Sequence, residues 1–194
     1  MRLTIGVLLA ALLSPWAHAE LIDDMNDRGE LRIAVEANMP PFNFKDNDSL
    51  TGFEIELGRM LAEELDVRAE FIVTTRDDLL PGVETGKYDI ALDQVAATPE
   101  LKQRLDFSEP YSDSSAQLIA SKSHSLGVLQ NSLQPVTEGA TNGANPSLTI
   151  PFQKGNPAFH SAVDKALQRI KADGRLESLS QKWFGMDASE PPKK

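Results

Sequence analysis

The 194-residue sequence contains no cysteine, only three histidines, and only two tryptophans and two tyrosines. Without cysteine there are no disulfides, no thiolate metal sites, no cysteine nucleophile and no amino-terminal lipid-modified cysteine, so the fold must rest on its packed core. His18, His124 and His160 are scattered, and the acids show neither metal-ligand spacing nor a nucleophile–base pairing. The expectation is therefore a protein without metal or cofactor that binds rather than catalyses. An enzymatic reading is kept only because common folds acquire chemistry. Positive charge is also scarce, with 19 Lys and Arg against 29 Asp and Glu and a net charge of −10. Such a balance argues against nucleic acid and anionic membrane as partners, and solubility is a sufficient reason for it.

Long apolar runs are missing too. The longest, Leu3 to Leu13, falls short of the ~20 residues that cross a bilayer. With Arg2 before it and Ala17-His18-Ala19 after it, the run reads as a secretory signal. Export would leave Glu20 as the first residue of a soluble periplasmic chain.

What is present is an alternation of strand and helix patterns. Residues 20–30 read as a short helix ended by Gly29, and Leu31 to Val35 as a strand. Residues 36–41 form the loop at that strand's carboxyl end, and Asp46-Asn47-Asp48 a polar turn. Gly52 opens a helix with Phe53, Leu57, Met60, Leu61 and Leu65 at helical spacing and Glu54, Glu56, Arg59, Glu63 and Glu64 mostly opposite. Ala69 to Thr74 is a second strand, and Asp77 to Thr85 a helix stopped by Gly86. The β-α-β-α-β order predicts an α/β fold, mainly a parallel sheet with helices on both faces. Ser114 to Ser121 reads as a strand leading out of this unit. Asn156 and Pro157 start a helix with Val163, Ala166, Leu167 and Ile170 inward, ended at Gly174. Arg175 to Trp183 continues as helix, with Trp183-Phe184 an apolar latch.

Residues 87–111 are the most informative. Tyr88 to Val95 reads as a buried strand, Thr98-Pro99-Glu100 as a helix start, and 106–111 as Asp-Phe-Ser-Glu-Pro-Tyr. A strand feeding a helix amino terminus would place N–H groups at the sheet's carboxyl edge, where small ligands bind. The ordered set Gly86-Lys-Tyr-Asp89, Thr98-Pro-Glu100 and 106–111 resembles the polar amino-acid family of periplasmic solute-binding proteins, extracellular solute-binding family 3. Leu31 to Val35, Pro40 to Phe44, Leu50 to Leu57, Phe152 to Pro157 and Lys171 to Gly185 extend the resemblance over residues 21–121 and 149–185.

The resemblance implies a two-lobed clamp that closes on a small polar solute or amino acid and presents it to an inner-membrane ABC permease. It implies an Arg gripping the ligand's α-carboxylate, and that position is Leu101 here. A carboxylate-binding Thr falls on Ala96, and a Gly or Gln on Gln94. Thr98 opens the turn, Glu36 matches an acidic pocket position, and Phe42 matches an aromatic that more often packs beneath the site. Arg76 stands where relatives carry an aromatic or small residue, and Asp93 with Gln94 ends the central strand as the best-placed polar pair.

Two lobes of ~100 residues each would need roughly 200 residues. The chain after the signal has 175, and only the 27 residues from Lys122 to Leu148, rich in Gly, Asn, Ser, Thr and Pro, separate exit strand from return strand. The expected organisation is a signal (1–19), one lobe (20–121 plus 149–185), a linker or stub in place of the second lobe (122–148) and a disordered tail (186–194). Two functional readings follow. One is a solute-binding component with a degenerate site. The other is a non-transporting single lobe whose open face serves protein contact or self-association.

Overall fold

A computed structural model describes residues 20–112 and 147–187. The signal, the exit strand at 114–121, most of the stub and the tail from 188 lie outside the described residues.

Helix α1 (Leu21–Arg28) buries Leu21 and Met25 and ends at Gly29, whose φ of 69° lets its N–H turn back to the Met25 and Asn26 carbonyls. Strand β1 (Glu30–Val35) follows, then a hairpin sheet of β2 (Asn38–Met39), β3 (Asn43–Asp46) and β4 (Ser49–Thr51). The polar turn foreseen at Asp46 to Asp48 joins β3 to β4, with Asn47 and Asp48 both at positive φ. This hairpin sheet was not foreseen, because strands of two to four residues leave no period-2 pattern to read.

Helix α2 (Phe53–Glu64) opens at Gly52, where φ is 128°. A Cβ there would fall on the Phe42 carbonyl oxygen, well inside van der Waals contact. The close approach lets the Phe53 N–H donate to Pro41 O (2.9 Å) and the Glu54 N–H to Phe42 O (3.0 Å). Strand β5 (Arg68–Val73) and helix α3 (Arg76–Glu84) lead to β6 (Ile90–Ala91). A 3₁₀ turn (Leu101–Gln103) precedes β7 (Leu105–Phe107). After the gap come β8 (Pro151–Gln153), α4 (Pro157–Ala172) and α5 (Arg175–Phe184).

The main sheet has the order β5-β1-β6-β8-β7. Strand β1 pairs in parallel with β5 from Glu30↔Arg68 to Val35↔Val73, and with β6 at Ile33↔Ile90. Strand β8 enters antiparallel between β6 and β7, so four of the five strands run one way. One face carries the larger core, where Phe53, Leu57 and Leu61 of α2 meet Val163, Leu167 and Ile170 of α4 and Leu176 and Leu179 of α5. The other is covered by α3, with Leu79, Val83, Tyr88, Val95 and Leu105.

The segments before and after the gap are tied by a reciprocal cap. The Asn156 side chain accepts from the Leu21 N–H at the head of α1 (2.9 Å). The Glu20 carboxylate in turn accepts from the Ala158 N–H at the head of α4 (2.9 Å). Asn156 therefore caps a neighbour's helix rather than its own. The latch closes the same side: Phe184 packs on Phe42 and Phe53 at centroid distances of 5.2 and 4.8 Å, and Trp183 sets edge-on to Phe44 at 5.9 Å.

Two further expectations are corrected. Tyr88 to Val95 is buried throughout, but only Ile90–Ala91 lies in the ladder. After the Leu92 N–H bonds Ala34 O (3.0 Å), Gln94 adopts a φ of 55° and the chain turns out of the sheet. Thr98 opens only a single 3₁₀ turn, because β7 begins at Leu105 and leaves no length for a helix. Its hydroxyl accepts the Leu101 N–H (3.3 Å), so the turn caps itself instead of offering that donor to an anion.

Replacing Gly52 with Ala forces a left-handed φ and a backbone collision together. Urea titration should show a loss of about 3 kcal/mol or more. A loss of a few tenths would show that the Pro41–Phe42 backbone moves freely aside.

Candidate functional site

Two ends of the main sheet divide structural from candidate functional polarity. At the amino-terminal end, Asp89 of the Gly-Lys-Tyr-Asp motif is fully buried. It accepts from Arg28 Nη2 (2.7 Å), the Arg32 N–H (2.8 Å) and Arg32 Nη2 (2.7 Å). Arg32 also donates to Gly86 O (2.9 Å). These bonds splice α1, β1 and the approach to β6, which is a structural role.

At the carboxyl end, the chain leaves β1 at Glu36 and β6 at Asp93, and α3 begins with Arg76. Arg76 Nε donates to Glu36 Oε2 (3.2 Å), and its Nη2 stands 3.9 Å from Asp93 Oδ2, beyond hydrogen-bond reach. Arg76 is 42 % exposed in its side chain, Glu36 14 % and Asp93 4 %. Arg76 thus stands beside both carboxyl groups, and Asp93 Oδ1 has no hydrogen-bond partner. Burial, reinforced by the Glu54 and Glu36 charges, pushes the Asp93 carboxyl up to about 8, against the opposing pull of Arg76.

Beneath this edge lies Glu54, in the first turn of α2 and completely buried. It accepts from the Gln94 N–H (2.7 Å), from the Tyr111 hydroxyl and from Asn43 Nδ2. Asn43 Nδ2 also reaches Leu92 O (2.9 Å). None of the ion pairs of the described residues includes Glu54. Burial raises its carboxyl from 4.5 to about 7, with the three donors pulling the other way. Tyr111 is pushed well above its usual value by burial and by the adjacent carboxylate.

The structure thus joins Glu36, Arg76 and Asp93 at one edge and links Gln94 to it through Glu54. It does not bring the other sequence-derived candidates into that group. Phe42 is 2 % exposed and belongs to the core beside Phe53 and Phe184. Ala96 makes a β-bridge with Leu148, and Leu101 packs against the smaller core. Arg104, the guanidinium nearest in sequence to the Thr98 turn, pairs instead with Glu84 (3.0 Å). His160 bonds Asp164 one turn along its own helix (3.2 Å).

Sequence reasoning missed Glu54, Asn43 and Tyr111. Glu54 was assigned to the polar flank of α2, although Gly58, one turn on, was the available signal of close packing on that side. A Cβ at Gly58 would stand 3.0 Å from side-chain atoms of Ile33, Leu92 and Phe71.

Residues 31–186 match the bacterial extracellular solute-binding proteins, family 3. The L-cystine-binding protein TcyJ of Escherichia coli K12 is 26 % identical over 254 residues, covering 95 % of this chain and 96 % of TcyJ. Since the chain has 194 residues, at least 60 of those aligned positions (254 − 194) find no counterpart in it. The crystal structure of the ancestral amino-acid-binding protein AncCDT-1, a precursor of cyclohexadienyl dehydratase, superposes with a TM-score of 0.67 at 27 % identity. That match covers 86 % of this chain and all of the other. A Phe57Trp mutant of the arginine-bound form of domain 1 from TmArgBP matches with a TM-score of 0.60 and 25 % identity, over 78 % of this chain and 98 % of that one.

The Glu54 shift makes a signed prediction. Its folded-state value lies above its unfolded value, so the folded state holds the extra proton between about 4.5 and about 7. Its contribution to stability is present below that window and is lost as pH rises through it, on the order of 3 kcal/mol. Glu54→Gln should flatten the slope, leaving the share of Asp93, which acts in the same direction. Urea unfolding of both proteins at pH 5 and pH 8 checks this. Equal slopes would show that Glu54 titrates as an ordinary carboxylate.

Proposed function

The chain belongs to the bacterial extracellular solute-binding proteins of family 3, and from that premise we propose that it is a periplasmic solute-binding lobe with a shortened second lobe and a degenerate carboxylate grip. Its relatives include amino-acid- and cystine-binding proteins, some of them named as ABC-transporter components. The single observation that carries the reading is Leu101. It stands where the resemblance places the gripping Arg, and it packs into the smaller core while Arg104 turns to Glu84.

The excess of relatives' length over this chain supports a trimmed second lobe, placed by the sequence at 122–148. Among the described residues no helix is long and apolar enough to cross a membrane, and the family is extracellular, which supports export by the amino-terminal signal. The arginine-bound domain 1 of TmArgBP supports the idea that one lobe alone can hold a ligand. Without a second lobe less of the ligand is buried, so affinity should be low. Binding, rather than the chemistry of the dehydratase lineage, is the activity we assign. An inner-membrane ABC permease is the partner this assigns.

Thermal-shift measurements with neutral α-amino acids test the grip, because a ligand adds RT ln(1 + [L]/Kd) of stability. The native chain should show no shift at millimolar concentration. Leu101→Arg should gain about tenfold or more in affinity, as one charge-assisted bidentate pair provides. Strong binding by the native chain would overturn the degenerate-grip reading. Self-association through the open face is the alternative, and sedimentation of the same sample as a concentration-dependent dimer would favour it.

A further inference from the structure

Asn43 carries an asymmetry that its place in the core does not require. It begins β3 and is fully buried. Its Nδ2 stands between two acceptors, Glu54 Oε2 and Leu92 O (2.9 Å), and this fixes which way the amide faces. Its Oδ1 has no hydrogen-bond partner, a costly state for a buried amide oxygen. The groups bonded to the Glu54 carboxyl are all donors: Asn43 Nδ2 on Oε2, and the Gln94 N–H and the Tyr111 hydroxyl on Oε1. That set suits the ionised acid. A proton on Oε2 makes that oxygen a donor, and a donor cannot face the Asn43 Nδ2. The bare Oδ1, on the same side chain, is an acceptor ready to replace it.

We propose that Asn43 and Glu54 form a proton-operated clasp between the hairpin sheet and the end of β6. With Glu54 ionised, Asn43 Nδ2 bridges Oε2 and Leu92 O, and the clasp is closed. The opening step is a protonation alone, in which one O–H bond forms on Oε2 with a proton drawn from solvent. The Asn43 amide then turns over and Oδ1 accepts from the new O–H. Acceptor now faces acceptor at Leu92 O, so the hairpin parts from the strand end and water reaches the freed Nδ2. The turn that carries Asp93 and Gln94 begins at Leu92, so the candidate site loses its tie to the hairpin when the clasp opens. The clasp belongs to the lobe itself and holds whichever solute the lobe takes.

The groups around Glu54 place the change near neutrality. The hairpin presents the neutral Asn43, the turn after β6 presents the Gln94 N–H and the Asp93 carboxyl, and the segment after β7 presents the Tyr111 hydroxyl. None of the ion pairs of the described residues brings Glu54 a cation. Burial holds its carboxyl at about 7, so the clasp opens as pH falls through that value.

The test is an NMR titration of the full chain from Glu20, between pH 5 and pH 8.5. The Glu54 carboxyl carbon, the Asn43 side-chain NH₂ and the Gln94 N–H should titrate together, with one midpoint at about 7. After correction for intrinsic rates, the Asn43 NH₂ should exchange with solvent about tenfold faster or more at the acid end. Glu54→Gln, whose Nε2 copies a protonated Oε2, should show the open form at every pH. Asn43→Ala deprives both charge states of a partner, so the Glu54 midpoint should move by less than about half a unit.

A midpoint that rises further in Asn43→Ala shows that Asn43 serves the carboxylate alone, and overturns the clasp. So does a Glu54 signal that titrates while the Asn43 NH₂ stays fixed, or a Glu54→Gln protein that keeps the closed form. Thermal unfolding identifies a variant that has failed to fold, and the titration of the native chain then decides without it.

Discussion

A buried carboxylate without a counter-cation governs the middle of this molecule. Glu54 collects donors from three chain segments: Asn43 on β3, Gln94 after β6, and Tyr111 after β7. Each donor alone contributes modestly, but a buried acid that lost one would carry an unsatisfied charge costing about 1–3 kcal/mol or more. The network therefore fixes where β6 stops and how the chain turns out of the sheet. Gln94 takes its positive φ to deliver its N–H to Glu54, and that turn brings Asp93 to the edge facing Glu36 and Arg76. The candidate site is thus tied to the core through the Gln94 N–H bond to Glu54.

The same economy of charge appears at both ends of the sheet, with opposite outcomes. Asp89 is as buried as Glu54, yet Arg28 and Arg32 satisfy it and fasten α1, β1 and the start of β6. Asp93 has one distant guanidinium and an oxygen left over. Saturated polarity rigidifies a fold, whereas polarity left partly open in a desolvated place is available to a ligand. That contrast gives one end a structural role and leaves the other as the candidate site.

The closing segment is held by several modest contacts that support one another. β8 enters the sheet between β6 and β7, Asn156 and Glu20 exchange caps, and Phe184 fills the space between Phe42 and Phe53. Ends far apart in sequence are joined in this way, so the segments before and after the gap share the main sheet whatever lies between 112 and 147.

Local pattern determined the α/β class, the parallel β1–β5 pair and the helices at α1, α2, α3, α4 and α5, because 3.6-residue apolar spacing, Gly stops and Pro starts act over a few residues. The end of the central strand named Asp93 as an edge residue, and the family resemblance added Glu36 and Arg76. Only the tertiary structure decided that Thr98 opens a single 3₁₀ turn, that Asn156 caps α1, and that Leu101 packs against the smaller core. It alone showed Glu54 to be an interior acid, because its three donors come from positions 11, 40 and 57 residues away. Periodicity tells which side chains share a face. It cannot tell which distant donors will meet an acid on the margin of that face, and the meeting of those donors is what sets the charge state and geometry of the edge.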